Sequence, residues 1–178
     1  MALDTVLFVR LAMAGWLLAG WCDWWCHRRT RIESTTGLAE CLFHWLLLAL
    51  GAVALALALW LQPTWWLMGL LLFLWLMHQA TTWVELRYVV QRRNVLPIEQ
   101  MVHSFLEIIP LALIVVIALD GWTSGQLREA GWSLRVRPWD DIVQQPLAYY
   151  AAATAVLVAV PFAEEAWRCW RHGLARTA

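Results

Sequence analysis

The sequence predicts an all-α fold: an integral membrane bundle of about five transmembrane helices, four of them surrounding a polar site. Three observations predict it. Hydrophobic residues make up 62% of the 178-residue chain and charged residues only 15%, where a soluble domain carries about a quarter charged residues. The interval from Cys41 to Val84 contains no Asp, Glu, Lys or Arg, and roughly 20 apolar residues cross a bilayer, so it is long enough for two crossings. The acids and histidines of the first four apolar runs fall close to one end of each run.

The first helix is placed over about 4–28. It is read as a helix and not as a secretory leader because Asp4 and Arg10 make a poor signal peptide. Trp21 also interrupts what would be a lipoprotein cleavage box in Leu18-Ala19-Gly20-Trp21-Cys22. The second helix, 36–61, ends at the turn Gln62-Pro63-Thr64, and the third runs over 64–92. The fourth opens at Pro97, a favoured first-turn position, and closes near Asp120-Gly121, giving 97–119. A polar, Trp-containing outer loop, 121–145, leads to a fifth helix over 146–168. With no internal repeat or low-complexity linker, residues 1–178 read as a single transmembrane domain.

Arginine sets the expected orientation, because cytoplasmic loops carry an excess of positive charge. One end holds Arg28, Arg29, Arg31, Arg87, Arg92, Arg93, Arg168, Arg171 and Arg176; the other holds Arg10, Arg128, Arg135 and Arg137. The Arg-rich end is therefore expected in the cytoplasm, with the N-terminus outside and the C-terminus inside, as in a multi-pass protein of the bacterial inner membrane. Trp60, Trp65, Trp66, Trp122, Trp132 and Trp139 then form one interfacial aromatic belt, and Trp21, Trp24, Trp25, Trp167 and Trp170 the other. The net charge is zero, which gives no reason to expect nucleic acid as a partner. Cys22, Cys26, Cys41 and Cys169 form no CxxC pair and read as small buried apolar residues.

The polar residues of the first four helices share a spacing and a depth. Asp23/His27, Glu40/His44, Glu99/His103 and His103/Glu107 are i,i+4 pairs, and Glu33/Glu40 and His78/Glu85 are i,i+7 pairs, so each set lies along one helix stripe. At 1.5 Å per residue, His44, His78 and His103 lie about 25, 21 and 24 Å from the outer turns. Glu40, Glu85 and Glu99 lie at about 30 Å, and Asp23 and His27 at roughly 28 and 34 Å. Four helices of alternating direction thus bring carboxylates and imidazoles into one slab.

Ionisable residues inside a bundle are expensive and default to a functional role. Clustered carboxylates repel unless cations compensate. Two divalent ions would do so, and imidazole with carboxylate suits iron first, with manganese or zinc as substitutes. The candidate metal ligands are Asp23, His27, Glu33, Glu40, His44, His78, Glu85, Glu99, His103 and Glu107. Asp23 and Glu107 are also candidates for moving protons, and Pro110 after Glu107 can kink the fourth helix.

This plan resembles the ferritin-like di-iron and di-manganese carboxylate bundles, which build their centres from Glu and His on facing helices. The resemblance covers the first four helices and implies Glu40, His44, Glu85, Glu99 and His103 as direct ligands, completed or flanked by Asp23, His27 and His78. The ferritin-like signature spaces Glu and His at i,i+3, whereas the pairs here are i,i+4. The stretches also look like short bacterial integral membrane proteins of no assigned activity.

The expected function is an oxygen-dependent oxidoreductase acting on a lipophilic small molecule that enters from membrane lipid. No reductase motif is present, so electrons would come from a partner protein. Four alternatives stay open: a bis-His haem b cytochrome, a metal-binding or transport protein, a zinc lipid hydrolase, and a metal-free network in which nearby arginines neutralise the acids. Glu164 and Glu165 read as interfacial acids beside Arg168, His172 as a solvated residue of the tail, and Gln100, Thr82 and Ser104 as surface or inter-helix hydrogen-bonding groups.

Overall fold

The computed structural model describes residues 2–143 and 146–177. It is all-α: α1 (Ala2–Thr30), a short 3-10 turn (Ile32–Ser34), α2 (Leu38–Trp60), α3 (Trp65–Val89), α4 (Pro97–Thr123), α5 (Gln126–Ala130), α6 (Trp139–Val143), α7 (Pro146–Leu157) and α8 (Ala159–Thr177). Among the described residues the β-type pairing is one isolated bridge, Leu61 to Val136. Four helices, α1 to α4, are long and apolar enough to cross a membrane. Their outward faces carry exposed Leu11, Leu18, Leu42, Phe73 and Ile108, the surface that lipid covers and water does not.

Local chemistry sets the helix ends. Gly37 enters α2 at φ +64, a left-handed conformation that glycine adopts at no steric cost, and its N–H closes the preceding turn on the Ile32 carbonyl at 2.8 Å. Thr64 caps α3 by accepting the Leu67 N–H at 3.2 Å, which satisfies one of the orphan donors of a helix start. Pro97 stands in the first turn of α4, where its missing N–H costs nothing.

α1 packs along α4, α2 along α3, and α8 against α2 and the 3-10 turn. At the end remote from the acids, Leu127 of α5 is fully buried in a cluster with Ala58, Leu61, Leu67, Met68 and Leu71. Residues 124–143 are tied to the α2–α3 turn by backbone bonds. Gln62 N–H donates to the Arg135 carbonyl and Arg137 N–H to the Trp60 carbonyl, each at 2.8 Å. Trp65 N–H donates to the Gly131 carbonyl at 3.0 Å. That segment is therefore a lid of two short helices over one end of the bundle, not the open loop its polar composition implies.

Other boundaries differ from the sequence reading, and the last helix runs to Thr177, not 168. α3 stops at Val89, not at 92, because the chain doubles back: the N–H groups of Arg92 and Arg93 both donate to the Val89 carbonyl, at 2.8 and 2.9 Å. α4 continues to Thr123 instead of stopping at 119. The fifth helix is divided at Val158. Pro161 explains the division, since it has no N–H to give the Leu157 carbonyl and its ring crowds that position.

Candidate metal centre

The structure brings Asp23 and His27 of α1, Glu40 and His44 of α2, Glu85 of α3 and Glu99 and His103 of α4 together, and adds Glu165 of α8. Asp23, His27, Glu40, His44, Glu85, Glu99 and Glu165 are all buried. Helical spacing accounts for the arrangement on α1 and α2: an i,i+4 pair puts carboxylate and imidazole one turn apart on the same inward stripe.

His27 and His44 lie face to face, with ring centroids 4.3 Å apart and planes within 3°. Glu165 bridges their edges. Its Oε2 lies 3.2 Å from His27 Nδ1 and its Oε1 2.6 Å from His44 Nδ1. An ionised carboxylate can only accept, so both Nδ1 atoms carry protons and donate. Where a ring carries no second proton, its Nε2 then presents a lone pair. This is the way a second carboxylate orients metal-ligating histidines.

Both Nε2 atoms are buried without a hydrogen-bond partner. They point among acids. His27 Nε2 has Asp23 Oδ1 and Glu99 Oε1 at 3.6 Å and Glu40 Oε1 at 3.8 Å. Those separations are too long for hydrogen bonds but suit neighbouring ligands around one ion, given metal–ligand bonds of about 2.0–2.2 Å. His44 Nε2 is 2.8 Å from Glu85 Oε1, yet off the direction that a ring N–H needs. A lone pair facing carboxylate oxygen is repulsive unless a cation lies between them. On the far side of His27, His103 Nε2 meets Asp23 Oδ1 at 2.9 Å. Two overlapping groups, Asp23/His27/His103 and His27/Glu40/His44, each keep their ligand atoms within 4.8 Å of one another.

Among the described residues, Arg93 brings an organic cation to this cluster. The turn after α3 carries Arg93 back so that its Nη2 lies 2.5 Å from both Glu40 Oε1 and Glu99 Oε1. Nε reaches Glu40 Oε2 at 3.2 Å and Nη1 reaches Glu99 Oε2 at 3.0 Å. Burial alone would lower the Arg93 pKa, but the hydrogen bonds and charges of Glu99 and Glu40 raise it above its ordinary value. Thr36 Oγ1 donates a very short hydrogen bond to Glu40 Oε2. The neighbouring arginines are engaged elsewhere: Arg28 with Glu164, Arg29 over Trp25, Arg87 over Trp83 and Arg92 over Tyr88.

Three residues grouped with the ligands by sequence stand apart. Glu33 lies in the 3-10 turn and pairs closely with Arg168. His78 and Glu107 are half-buried and line a cavity that opens beside the cluster. The Glu107 carbonyl accepts the Trp75 indole N–H at 3.0 Å, and the Gln79 amide nitrogen, turned toward it, donates to Glu107 Oε2 at 3.2 Å. Pro110 leaves the adjoining Leu106 carbonyl without its helical donor, so this turn of α4 is polar on one side.

Glu165 is the residue that the sequence reading misplaced. Glu164 is half-exposed, bonded to Arg28 at 2.7 Å and to the Trp24 indole at 3.0 Å, but Glu165 is fully buried. The signal was the stripe Val158, Phe162, Glu165, Cys169, spaced four, three and four residues apart and buried throughout, which is the inward face of a helix.

The cavity has a volume of about 540 Å³. It begins at Asp23, His44, Glu85 and His103 and runs along α2 to Leu59 and Trp60 between largely aliphatic walls. Compared with known proteins, the chain matches no family model, no curated protein sequence and no solved structure. The chemistry must therefore be read from the residues themselves.

Proposed function

We propose that this chain is a membrane-embedded dinuclear metal protein, with iron as the metal, that catalyses oxygen-dependent oxidation of a lipophilic substrate. The observation that carries the proposal is the pair of buried, unpartnered Nε2 atoms that Glu165 holds facing carboxylate oxygens. Charge supports two ions. Asp23, Glu40, Glu85, Glu99 and Glu165 set five carboxylates against the single guanidinium of Arg93, leaving four formal negative charges for two divalent cations to balance. Buried charge of this size is not stable without compensation.

In this reading Asp23, His27, Glu40, His44, Glu85, Glu99 and His103 hold the metal, and Glu165 and Arg93 position them. Bound iron would supply oxygen activation. The chain's own part is to keep water out and to hand protons in. Glu107 stands at the cavity wall with Gln79, where it can take a proton from substrate and pass it toward His103, one helical turn away. Asp23, hydrogen-bonded to His103, continues that route. The aliphatic cavity admits substrate from the bilayer, and a partner protein supplies electrons. The Arg-rich end faces the cytoplasm of a bacterial inner membrane, with the N-terminus outside.

A second reading, a metal-free charge network, is favoured by the double clamp of Arg93 on Glu40 and Glu99. It requires both rings to be doubly protonated, with the Nε2–H groups of His27 and His44 facing carboxylates outside hydrogen-bond geometry. Absorbance and oxygen uptake of protein purified in mild detergent separate these readings. Iron-dependent charge-transfer absorbance and oxygen uptake stimulated by a long-chain substrate, both lost in His103→Ala, support the proposal. A sharp Soret band would assign a cytochrome instead. A colourless zinc-loaded protein would point to hydrolysis, and metal without oxygen uptake to storage or transport.

A further inference from the structure

The cavity limits what the substrate can be, and the inference drawn from it rests on the functional reading above. Its polar residues are gathered at one end. Asp23, His44, Glu85, His103, His78, Thr82 and Glu107 lie there, and beyond them the wall is Leu, Ala, Gly, Val, Phe and Trp, with Thr154 adding a hydroxyl. On α2 the lining extends from His44 to Trp60, which at 1.5 Å per residue is about 24 Å. A volume of about 540 Å³ spread over that length makes a narrow channel that takes one hydrocarbon chain. Small residues make the room: Gly20 and Gly51 on α1 and α2, Ala151 and Ala155 on α7.

An amphiphile places its polar head where hydrogen bonds are available and its chain where they are not. The head therefore lies at the His78 and Glu107 end, next to the metal-binding cluster, and the chain runs toward Trp60. With Asp23 and Glu85 balanced by the metal, Glu107 is the carboxylate in that part of the wall that repels an anionic head. We propose that the cavity binds one neutral, single-chain lipid alcohol, its hydroxyl held between His78 and Glu107 and its first carbons presented to the cluster. This differs from a terminal-methyl hydroxylase, in which the chain would enter tail first.

The test uses the full-length protein in detergent and an analogue of hexadecanol that carries a mid-chain diazirine. Photolysis should label α2 and α7 peptides around Leu55 and Ala155. The labelling should saturate and fall at least tenfold with excess hexadecanol, but not with excess hexadecanoate. Gly51→Leu and Ala155→Phe, which fill the channel, should each reduce labelling at least tenfold with metal content unchanged. An added Cβ at Gly51 meets the Trp16 ring at an ordinary 3.5 Å, so that variant has room to fold. Glu107→Gln should let hexadecanoate compete.

Unsaturable labelling spread over the lipid-facing sides of α1 and α3 would overturn the channel. Equal competition by hexadecanoate against the unaltered protein would overturn the neutral head. Metal analysis of the same samples separates either failure from failure of the metal reading: a metal-loaded protein that ignores the alcohol loses only this inference.

Discussion

His27 and His44 stack with their planes within 3° of each other, and both turn Nδ1 toward the same carboxylate, Glu165. The three come from α1, α2 and α8, so the relationship ties the first two helices to the last. It also fixes which nitrogen of each ring is free. The centre depends on this arrangement, and the first prediction addresses it.

Glu165→Gln removes the carboxylate that orients both rings and replaces it with a group that can accept through only one atom. Loss of such an outer partner costs about 10–100-fold in metal affinity. Competitive chelator titration should show at least a tenfold loss in this variant and none in Glu164→Gln, whose side chain bonds Arg28 at the interface.

Arg93→Met leaves Glu40 and Glu99 buried without their organic cation. Breaking a buried pair from one side costs about 3–5 kcal/mol. Bound metal offsets part of that charge, so the variant's thermal midpoint in detergent should fall further in chelator-treated protein than in metal-loaded protein. Equal falls in both states would place the metal away from Glu40 and Glu99.

Glu33→Ala should leave metal content unchanged. Its partner Arg168 is bonded at the edge of the bundle, with both side chains nearly a fifth exposed, so the pair contributes at most about 1 kcal/mol after solvent screening. A fall in metal stoichiometry would return Glu33 to the ligands.

Gly121→Val tests the lid. A Cβ there meets Leu127 and Pro63 at 3.1 Å, tighter than packed side chains tolerate, and overpacking of this kind costs about 1–3 kcal/mol. The thermal midpoint should fall while metal content stays constant, because the lid and the cluster occupy opposite ends of the bundle.

How far the sequence discloses this structure depends on the residue. The first four helices were legible because the apolar runs are long and the turn residues Pro63, Thr64 and Pro97 interrupt them. Asp23, His27, Glu40, His44, Glu85, Glu99 and His103 could be grouped because helical periodicity and a common depth are properties of a single chain. Glu165 was harder to read. Its neighbours Glu164 and Arg168 describe an interfacial helix, and an inward stripe containing one acid is distinguished from that only by packing. The division of the fifth helix was available in Pro161, whose effect on the Leu157 carbonyl is local. The route of Arg93 was not available, because it follows from a turn of the chain back onto Val89 that no spacing rule specifies. The 124–143 lid was hidden for a similar reason: its order comes from backbone bonds to the α2–α3 turn, and its composition reads as polar loop.

The central claim is that the cluster holds two divalent metal ions, and elemental analysis of the freshly purified chain tests it most directly. The account predicts about two metal ions per chain, iron foremost, both lost together in a Glu40→Ala, His44→Ala double variant that keeps its helical circular dichroism. A chain that purifies without stoichiometric metal, and that neither takes up iron, manganese or zinc nor gains thermal stability from them, would contradict it. The acids would then be held by Arg93 and protonated histidines alone.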